Sequence, residues 1–180
     1  MTRTDLTHID DVEVLVAFLN TFHVELDRES LTTPADLARW AREHRLGAGL
    51  GGLDESDLAA ARLAREALRA HLAEGPRRPG SSALARMIGE VRLAPTLDER
   101  GLHLAPTGTG WSLLWGRLVV LLHQAQAGGR LSRLKVCPGE NCAWAFHDRS
   151  KNGSRTWCSE QVCGARTRSR NYRRRRRSAG

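Results

Sequence analysis

The stretch that decides the fold of the C-terminal third is 137-CPGENCAWAFHDRSKNGSRTWCSEQVCGARTRSRNYRRRRR-177. It holds all four cysteines of the chain, as Cys137-x4-Cys142 and, after fifteen residues, Cys158-x4-Cys163. Two thiol pairs separated by a short segment are typical of a tetrahedral structural zinc site. A redox pair would favour a Cys-x-x-Cys spacing instead. We therefore expect these four cysteines to bind one structural Zn²⁺.

The residues around the thiols predict the local fold of this zinc site. Pro138-Gly139 supplies the bend between the first two cysteines. The segment 143–157 suits two short strands, because Trp144 and Phe146 alternate and Asn152-Gly153 favours a chain reversal. Ser159 would cap a helix that carries Cys163 in its first turns. A knuckle, a hairpin and a ligand-bearing helix make a treble-clef-like zinc finger.

Positive charge is concentrated beside the thiols. Residues 131–180 carry 13 Lys and Arg against three acids, a balance of +10, whereas residues 1–130 carry 15 against 17, a balance of −2. Such asymmetry favours a polyanionic partner, which is DNA, RNA or an anionic membrane surface, over a basic tail that only aids solubility. A helix continuing past Cys163 would align most of its arginines on one face. The candidate nucleic-acid contacts are Arg155, Arg166, Arg168, Arg170, Arg173, Arg174 and Arg177.

Helical patterns dominate the first 129 residues. Apolar residues recur at helical spacing from Val12 to Leu26, and capping signals at Thr33-Pro34 and Asp54 predict two further helices. A small hairpin is expected from 91–95 and 102–106, followed by a helix over 111–127. Gly128-Gly129 then marks a boundary. The predicted fold class is α+β, with a mainly helical domain over 1–129 and a zinc finger with a basic C-terminal helix over 130–180.

No catalytic motif stands out in the helical domain, so we do not expect an enzyme. Asn20 lies on an apolar helix face, where a buried amide needs partners, and either orients a ligand or ties two helices together. Trp40 either lines a small-molecule pocket or packs in the core. The most apolar stretch, 111–127, is interrupted by polar residues and is too short for a membrane span. With no signal peptide recognised and clustered thiols that stay reduced, the expected location is cytoplasmic.

Three segments of the C-terminal part resemble the bacterial CGNR zinc finger: 142-CAWAFHDRS-150, 155-RTWC-158 and 163-CGAR-166. The helical part is similar to the ABATE domain that accompanies this finger, on the stretches 18–21, 36–40 and 64–69. The resemblance implies a stress-linked transcription regulator, with a ligand-sensing N-terminal domain and a finger that binds double-stranded DNA. It assigns the zinc ligands to the same four cysteines. Ala165 replaces the asparagine for which the finger is named, which leaves that position without its polar side chain.

Two other functions stay open from the residues alone. One is an RNA- or ribosome-associated zinc module without a sensing role, and the other is an enzyme with an unrecognised pocket in the helical domain. A regulator would take a small-molecule effector and a second copy of the chain as further partners, although no heptad repeat marks a dimer interface. We also expect zinc removal to unfold the finger and to leave the N-terminal helices folded.

Overall fold

The computed structural model describes residues 10–74, 82–99 and 101–178. Its described residues form six α-helices and three two-stranded antiparallel hairpins, which confirms the α+β fold class. The helices are α1 (Asp11–Leu19), α2 (Pro34–Glu43), α3 (Glu55–Glu74), α4 (Ser82–Gly89), α5 (Gly110–Ala127) and α6 (Ala165–Ser178). The strands are β1 (Phe22–His23), β2 (Arg28–Glu29), β3 (Leu93–Asp98), β4 (Gly101–Pro106), β5 (Leu134–Val136) and β6 (Ala145–His147).

Capping side chains set the starts of the N-terminal helices. Asp10 accepts a hydrogen bond from the backbone N–H of Glu13 and begins α1. Thr33 and Asp36 form a reciprocal capping box ahead of α2, with proline in its first turn. Each cap satisfies backbone N–H groups that have no partner within the helix. These local signals explain why the helix starts were predictable from the sequence.

One carboxylate joins two helix starts. The side chain of Asp57, in the first turn of α3, accepts a hydrogen bond from the backbone N–H of Asp54, just before α3, at 3.1 Å. It also accepts one from the backbone N–H of Trp111, in the first turn of α5, at 3.0 Å. Gly110, the first residue of α5, has a φ of 55°, and a Cβ at this position would lie 3.1 Å from both carboxylate oxygens of Asp57. Only glycine combines this backbone conformation with so close an approach. The contact therefore fixes the N-terminus of α5 against α3.

The first predicted helix is shorter than its apolar pattern suggests. α1 ends at Leu19, with Asn20 as its C-cap, and Phe22 pairs with Glu29 in the β1–β2 hairpin. The Thr21 hydroxyl donates to the Phe18 carbonyl at 2.7 Å, which satisfies one of the last helical carbonyls. The helical spacing of Phe22 and Leu26 beyond this point is coincidental. By contrast, the hairpin predicted from 91–95 and 102–106 is confirmed as β3–β4, although β3 lies later than predicted and β4 begins one residue earlier.

The hairpin predicted inside 143–157 is wrong in its pairing. β6 forms where Trp144 and Phe146 alternate, but its partner is β5, which precedes the first cysteine, with Lys135 opposite Phe146. The knuckle residues 137–142 therefore lie in the turn of this hairpin. Residues 148–159 contain turns and no strand, and Asn152-Gly153 is one of these turns. The knuckle and the ligand-bearing helix of a treble clef are present. The hairpin expected between them, within 143–157, is not formed by the described residues.

The zinc finger shares the core of the helical part. The largest fully buried side chains belong to α1, α2, α3, α5 and adjacent loops: Leu15, Phe18, Leu19, Leu31, Leu37, Leu46, Leu58, Leu68, Leu114, Leu118 and Leu121. Leu134 of β5 and Ala145 of β6 are buried in this same cluster. A second, smaller cluster surrounds the cysteines, with Phe146 buried and Trp144 and Trp157 partly buried. The predicted boundary at 129 and 130 therefore separates two segments that pack as one unit.

Candidate metal centre and nucleic-acid interface

The first cysteine pair is held by a tight knuckle. The backbone N–H of Cys137 donates to the Trp144 carbonyl at 2.9 Å, and that of Cys142 donates to the Gly139 carbonyl at 3.0 Å. A Cβ on Gly139 would lie 3.4 Å from the Cys137 sulfur and 3.3 Å from the Cys142 Cβ. A larger residue there would press on both cysteines and require them to shift by a few tenths of an ångström. The turn thus brings both thiols to the same side of the hairpin.

The second pair is presented by the start of the C-terminal helix. The Ser159 hydroxyl accepts from the backbone N–H of Val162 at 3.2 Å, as predicted for the cap. A π-helical turn, Glu160–Gly164, follows, and the N–H groups of Cys163 and Gly164 both donate to the Ser159 carbonyl. The wide turn continues directly into α6. Cys158 and Cys163 are therefore brought together at the N-terminal end of α6, the helix that carries the arginines.

The four sulfurs fit one tetrahedral zinc ion. Sγ–Sγ separations are 3.6 Å for Cys142 and Cys158, 3.6 Å for Cys158 and Cys163, and 3.7 Å for Cys142 and Cys163. A ZnS4 tetrahedron with bonds of about 2.3 Å has sulfur edges of about 3.8 Å. All four sulfurs, Cys137 included, lie within 4.8 Å of one another. A shell of four thiolates has no open position, so the site is structural and its zinc holds the knuckle to the helix.

The thiols need a cation before all of them can ionise. Burial raises the pKa of the Cys142 thiol to about 11. Burial, followed by the neighbouring thiols, also raises the pKa of Cys158. Burial would likewise raise the pKa of Cys137, but the backbone N–H groups of Cys158 and Gly139 lower it below its ordinary value. Zinc binding supplies the missing positive charge, so metal binding and proton release are coupled here.

The comparisons with known proteins agree with this geometry. The CGNR zinc finger family matches residues 133–176. The ABATE family, described as "Putative stress-induced transcription regulator", matches residues 13–132, which is well over half of the chain. The chain belongs to the ABATE family. No curated protein sequence matches it. The two matches stand in the predicted order, and the four zinc ligands lie inside the CGNR finger.

The arginines of α6 fall into two groups. The first group pairs with acids: Arg166 with Glu25 of the ABATE domain, Arg168 with Glu160, and Arg170 with Glu140 of the knuckle. The second group is the consecutive run 173–177, for which no carboxylate partner occurs among the described residues. Of the predicted contacts, Arg173, Arg174 and Arg177 belong to this run. All of these side chains are exposed.

Arg155 has a different position from the other candidate arginines. Its guanidinium donates to the carbonyls of Trp157 and Cys158 and lies 4.9 Å from the centre of the Phe146 ring. These contacts bind the segment before Cys158 to the finger's own core. The structure therefore places Arg155 beside the zinc ligands and supplies it with intramolecular partners.

Asp148 organises the loop between the ligand pairs, and sequence reasoning did not single it out. Its side chain is fully buried and accepts from Lys135 at 2.7 Å, from the Ser150 hydroxyl at 2.6 Å and from the backbone N–H of Arg155 at 3.0 Å. Hydrogen bonds from Lys135 and Ser150 hold the pKa of this carboxyl well below its usual range. The signal available in the sequence was an acid followed two residues later by serine, a common turn pattern.

The side-chain amide of Asn20 hydrogen-bonds to the finger. Its Nδ2 donates to the Ala145 carbonyl at 2.9 Å, and its Oδ1 accepts from the Ala145 N–H at 2.8 Å. Trp40, the other ligand candidate, is buried with its ring 5.3 Å from Phe18 and 4.7 Å from His44. Burial lowers the pKa of His44. The two candidates thus have separate sets of contacts and do not form one site in the structure.

Two buried arginines of α3 hold the elements around the junction: Arg69 contacts the finger directly, and Arg65 ties α3 to β2 within the ABATE domain. Neither was singled out from the sequence. Arg69 donates to the carbonyls of Leu19 and Phe22 and, at 2.7 Å, to that of Ala143 in the finger. Arg65 forms a two-point ion pair with Glu29 at 2.8 and 2.7 Å. Their spacing of four residues on the apolar face of α3 was the only available signal.

A second group of potential metal ligands, Asp10, Glu13 and His147, spans the junction. His147 lies 2.9 Å from the Glu13 carboxylate, and Arg149 donates to the same oxygen at 2.7 Å. Burial alone would raise the pKa of Glu13, but the hydrogen bonds from Arg149 and His147 lower it. A guanidinium bound to the carboxylate disfavours a metal ion, so this cluster acts as a polar contact between α1 and β6.

No helix in the described parts of the chain is both long enough and apolar enough to cross a membrane. α5, which contains the long apolar stretch 111–127, instead buries most of one side in the protein core. Arg117 within it donates to the carbonyls of Leu46 and Ala48, so a charged residue lies in the middle of this helix.

Proposed function

We propose that the chain is a DNA-binding transcription regulator whose CGNR finger contacts the phosphate backbone through the end of α6. The observation that carries this is the run of arginines 173–177, which has no carboxylate partner among the described residues and continues a helix that begins at a zinc ligand. Five adjacent cations repel one another in the free protein and gain from a polyanion. Duplex DNA supplies closely spaced phosphates along its length.

The paired arginines support a positioning role for the first half of α6. Arg166 and Arg170 are attached to acids in the ABATE domain and in the knuckle, so this part of the helix has intramolecular partners on two sides. Each partner neutralises part of the charge that would otherwise attract phosphate. We therefore assign the first half to orientation and the run 173–177 to phosphate contact. Tyr172 has a cation–π contact with Arg176, whose guanidinium lies 5.9 Å from the ring centre, and it supports the same segment.

The ABATE domain is proposed to sense a small-molecule effector and to pass its response to the finger. What supports this is the junction formed by Asn20, Arg69 and Glu25, since each contacts the finger directly. An effector that shifted α1 or α3 would act on β6 and on the base of α6 through these contacts. A protein that keeps four thiolates on zinc suits a reducing compartment, and the proposed location is the bacterial cytoplasm.

The deciding experiment compares DNA with RNA. The zinc-loaded chain is titrated into labelled duplex DNA and into structured RNA at the same salt concentration, with fluorescence anisotropy as the readout. We expect duplex binding that weakens steeply with salt, as phosphate contacts require. A variant with glutamine at residues 173–177 should lose most of this binding, while glutamine at the exposed Arg28 and Arg86 of the ABATE domain should not. RNA binding tighter by orders of magnitude would favour the RNA-associated module and refute the regulator.

A further inference from the structure

The β3–β4 hairpin has an apolar face that is left uncovered. Facing pairs in its register are Leu93 with Pro106, Pro95 with Leu104, and Leu97 with Leu102, and directly opposed residues share one face of a sheet. The opposite face carries small and polar residues that are less exposed. A two-stranded sheet normally buries its apolar face. Here the usual arrangement is reversed.

Exposure on this face rises from the base of the hairpin to its tip. Leu93 and Leu104 are 37% and 46% exposed, whereas Leu97 and Leu102 are 78% and 76% exposed. At the base, Pro106 packs against α5, where a Cβ on Gly116 would stand 2.7 Å from the proline Cβ. The apolar face is therefore continuous with the protein interior at one end. Toward the tip, the leucines have progressively less protein against them.

The size of the face suits a weak interface. The four leucines together leave roughly 400 Å² of apolar surface exposed, which is as large as the biggest such patch on a typical monomer and is often functional. Two such faces would bury about 800 Å² in total, less than the ~1,200 Å² of stable complexes. An association through this face alone is therefore expected to be weak and reversible.

The strand edges favour contact through the face over pairing with a further strand. The backbone N–H of Thr107 donates to the Arg92 carbonyl at 3.0 Å, so Arg92 and Thr107 form a hydrogen-bonded pair of the ladder. Because such pairs alternate with non-hydrogen-bonded pairs, Pro95 and Pro106 occupy positions at which a backbone N–H would point away from the partner strand. Proline has no N–H to offer there. Prolines on an outer edge obstruct the addition of another strand. The apolar face is left as the means of association.

The chemistry of the face fits a second copy of the same chain. It is uniformly aliphatic, so two copies related by a twofold axis meet without opposing charges. The two ends of β3 carry opposite charges: the exposed Glu99 follows its last residue at the tip, and the exposed Arg92 precedes its first residue at the base. A partner turned by 180° places its acidic tip beside the basic base. We propose that the chain forms a reversible twofold dimer through the Leu93, Leu97, Leu102 and Leu104 face.

Sedimentation equilibrium of the zinc-loaded, nucleic-acid-free chain tests this dimer, at salt high enough to suppress association through the arginine tail. Loading concentrations run up to about 500 µM, because a small interface is expected to be weak. We expect the apparent mass to rise from monomer to dimer with concentration. A Leu97→Thr/Leu102→Thr variant retains residues that favour strands and should weaken association at least tenfold. The matched control is Leu63→Gln, since Leu63 is 67% exposed on α3, and it should associate like the unaltered chain.

Circular dichroism and zinc content should be the same in all three proteins, because the altered side chains are exposed. An unaltered chain that stays monomeric over the whole range would refute the proposal, as would equal association of the threonine variant and the unaltered chain. The measurement involves no DNA, so its outcome does not depend on the proposed function. A chain that dimerises without binding DNA and one that binds DNA as a monomer are distinguishable.

Discussion

At the scale of single residues, Asn20 shows how a side-chain amide can join two parts of a chain. An amide carries one acceptor and one donor group, and Asn20 uses both on the same backbone unit of Ala145. The sequence predicted that this buried amide needs partners, and it has them. The identity of the partner was not predictable, because Ala145 lies 125 positions away and belongs to a strand whose predicted pairing was wrong.

Asn20→Ala should destabilise the zinc-loaded chain by about 2 kcal/mol, because it leaves the N–H and C=O of Ala145 without partners in a partly buried place. Urea unfolding followed by circular dichroism measures the change. Gln126→Ala removes an exposed amide from α5 and serves as the control, with an expected change within about 0.5 kcal/mol. Equal stability of the two variants would show that the amide does not hold the finger to α1.

Arg65 and Glu29 form a buried ion pair in the ABATE domain, in which two guanidinium nitrogens donate to the two carboxylate oxygens. Arg65 is 3% exposed and also donates to the Thr21 hydroxyl at 3.0 Å. Burial would raise the pKa of Glu29, but the hydrogen bond from Arg65 lowers it, so the carboxylate stays charged. The pair ties α3 to the β1–β2 hairpin, which lies directly after Asn20.

Glu29→Gln should lower the free energy of unfolding by about 2 kcal/mol, because it removes the two-point partner of the buried Arg65 and leaves the half-exposed Glu66 as its counter-charge. Thermal unfolding in the presence of zinc measures the loss. The exposed Glu43→Gln in α2 removes the same charge where nothing buried depends on it, and should be nearly neutral. A loss below about 1 kcal/mol for Glu29→Gln would mean that water or another acid takes over the Arg65 contact.

At the scale of elements, α6 combines two kinds of arginine on one helix. Arg166 and Arg170 have acid partners, whereas Arg173 and Arg174 follow them one turn later and have none among the described residues. Charge counted from the sequence alone treats all of them alike. The structure divides them, because Glu25 and Glu140 approach the helix from parts of the chain that are far away in sequence.

Replacing Arg173 and Arg174 by Ala should reduce the slope of log affinity against log salt for duplex DNA by roughly two, about 0.9 for each lost phosphate contact. Replacing Arg166 and Arg170 should change the slope by less than one, because each already has a carboxylate partner. Anisotropy titrations at four or more salt concentrations measure both slopes. The assignment of the two halves is wrong if the Arg166 and Arg170 variant shows the larger reduction.

The clustering of the four thiols was predictable because spacing alone brings pairs of thiols together, and the four sulfurs do lie together as one zinc ion requires. The strands between them were not. Alternation of Trp144 and Phe146 marks a strand but says nothing about its partner, which turned out to be Leu134–Val136. Helix starts at Thr33 and Asp54 were predictable from local caps. The end of α1 was not, since its apolar spacing continues past the last helical residue.

At the scale of the whole molecule, the helical part and the finger behave as one packed body. Leu134 and Ala145 of the finger lie in the main core, and Arg69 donates to the Ala143 carbonyl in the knuckle. These contacts could not be predicted from the sequence, because an arginine on a helix usually indicates a face exposed to solvent. The earlier expectation of independent unfolding treated the finger as separate. A shared core makes the stability of the helices depend on the metal site.

Zinc removal should therefore lower the thermal midpoint of the N-terminal helices as well as unfold the finger. Structural zinc contributes about 10–16 kcal/mol in finger peptides, and the buried contacts of β5 and β6 pass part of this to α1 and α3. We expect a fall of at least about 5 °C, which corresponds to about 2 kcal/mol in a chain of this size. Circular dichroism with and without chelator follows the helices, and Cys158→Ser/Cys163→Ser should reproduce the effect without chelator.

In Asn20→Ala the effect of the chelator on the helical midpoint should shrink, because the link through Ala145 is already broken. An unchanged helical midpoint after complete chelation would show that the two parts unfold independently despite their common core.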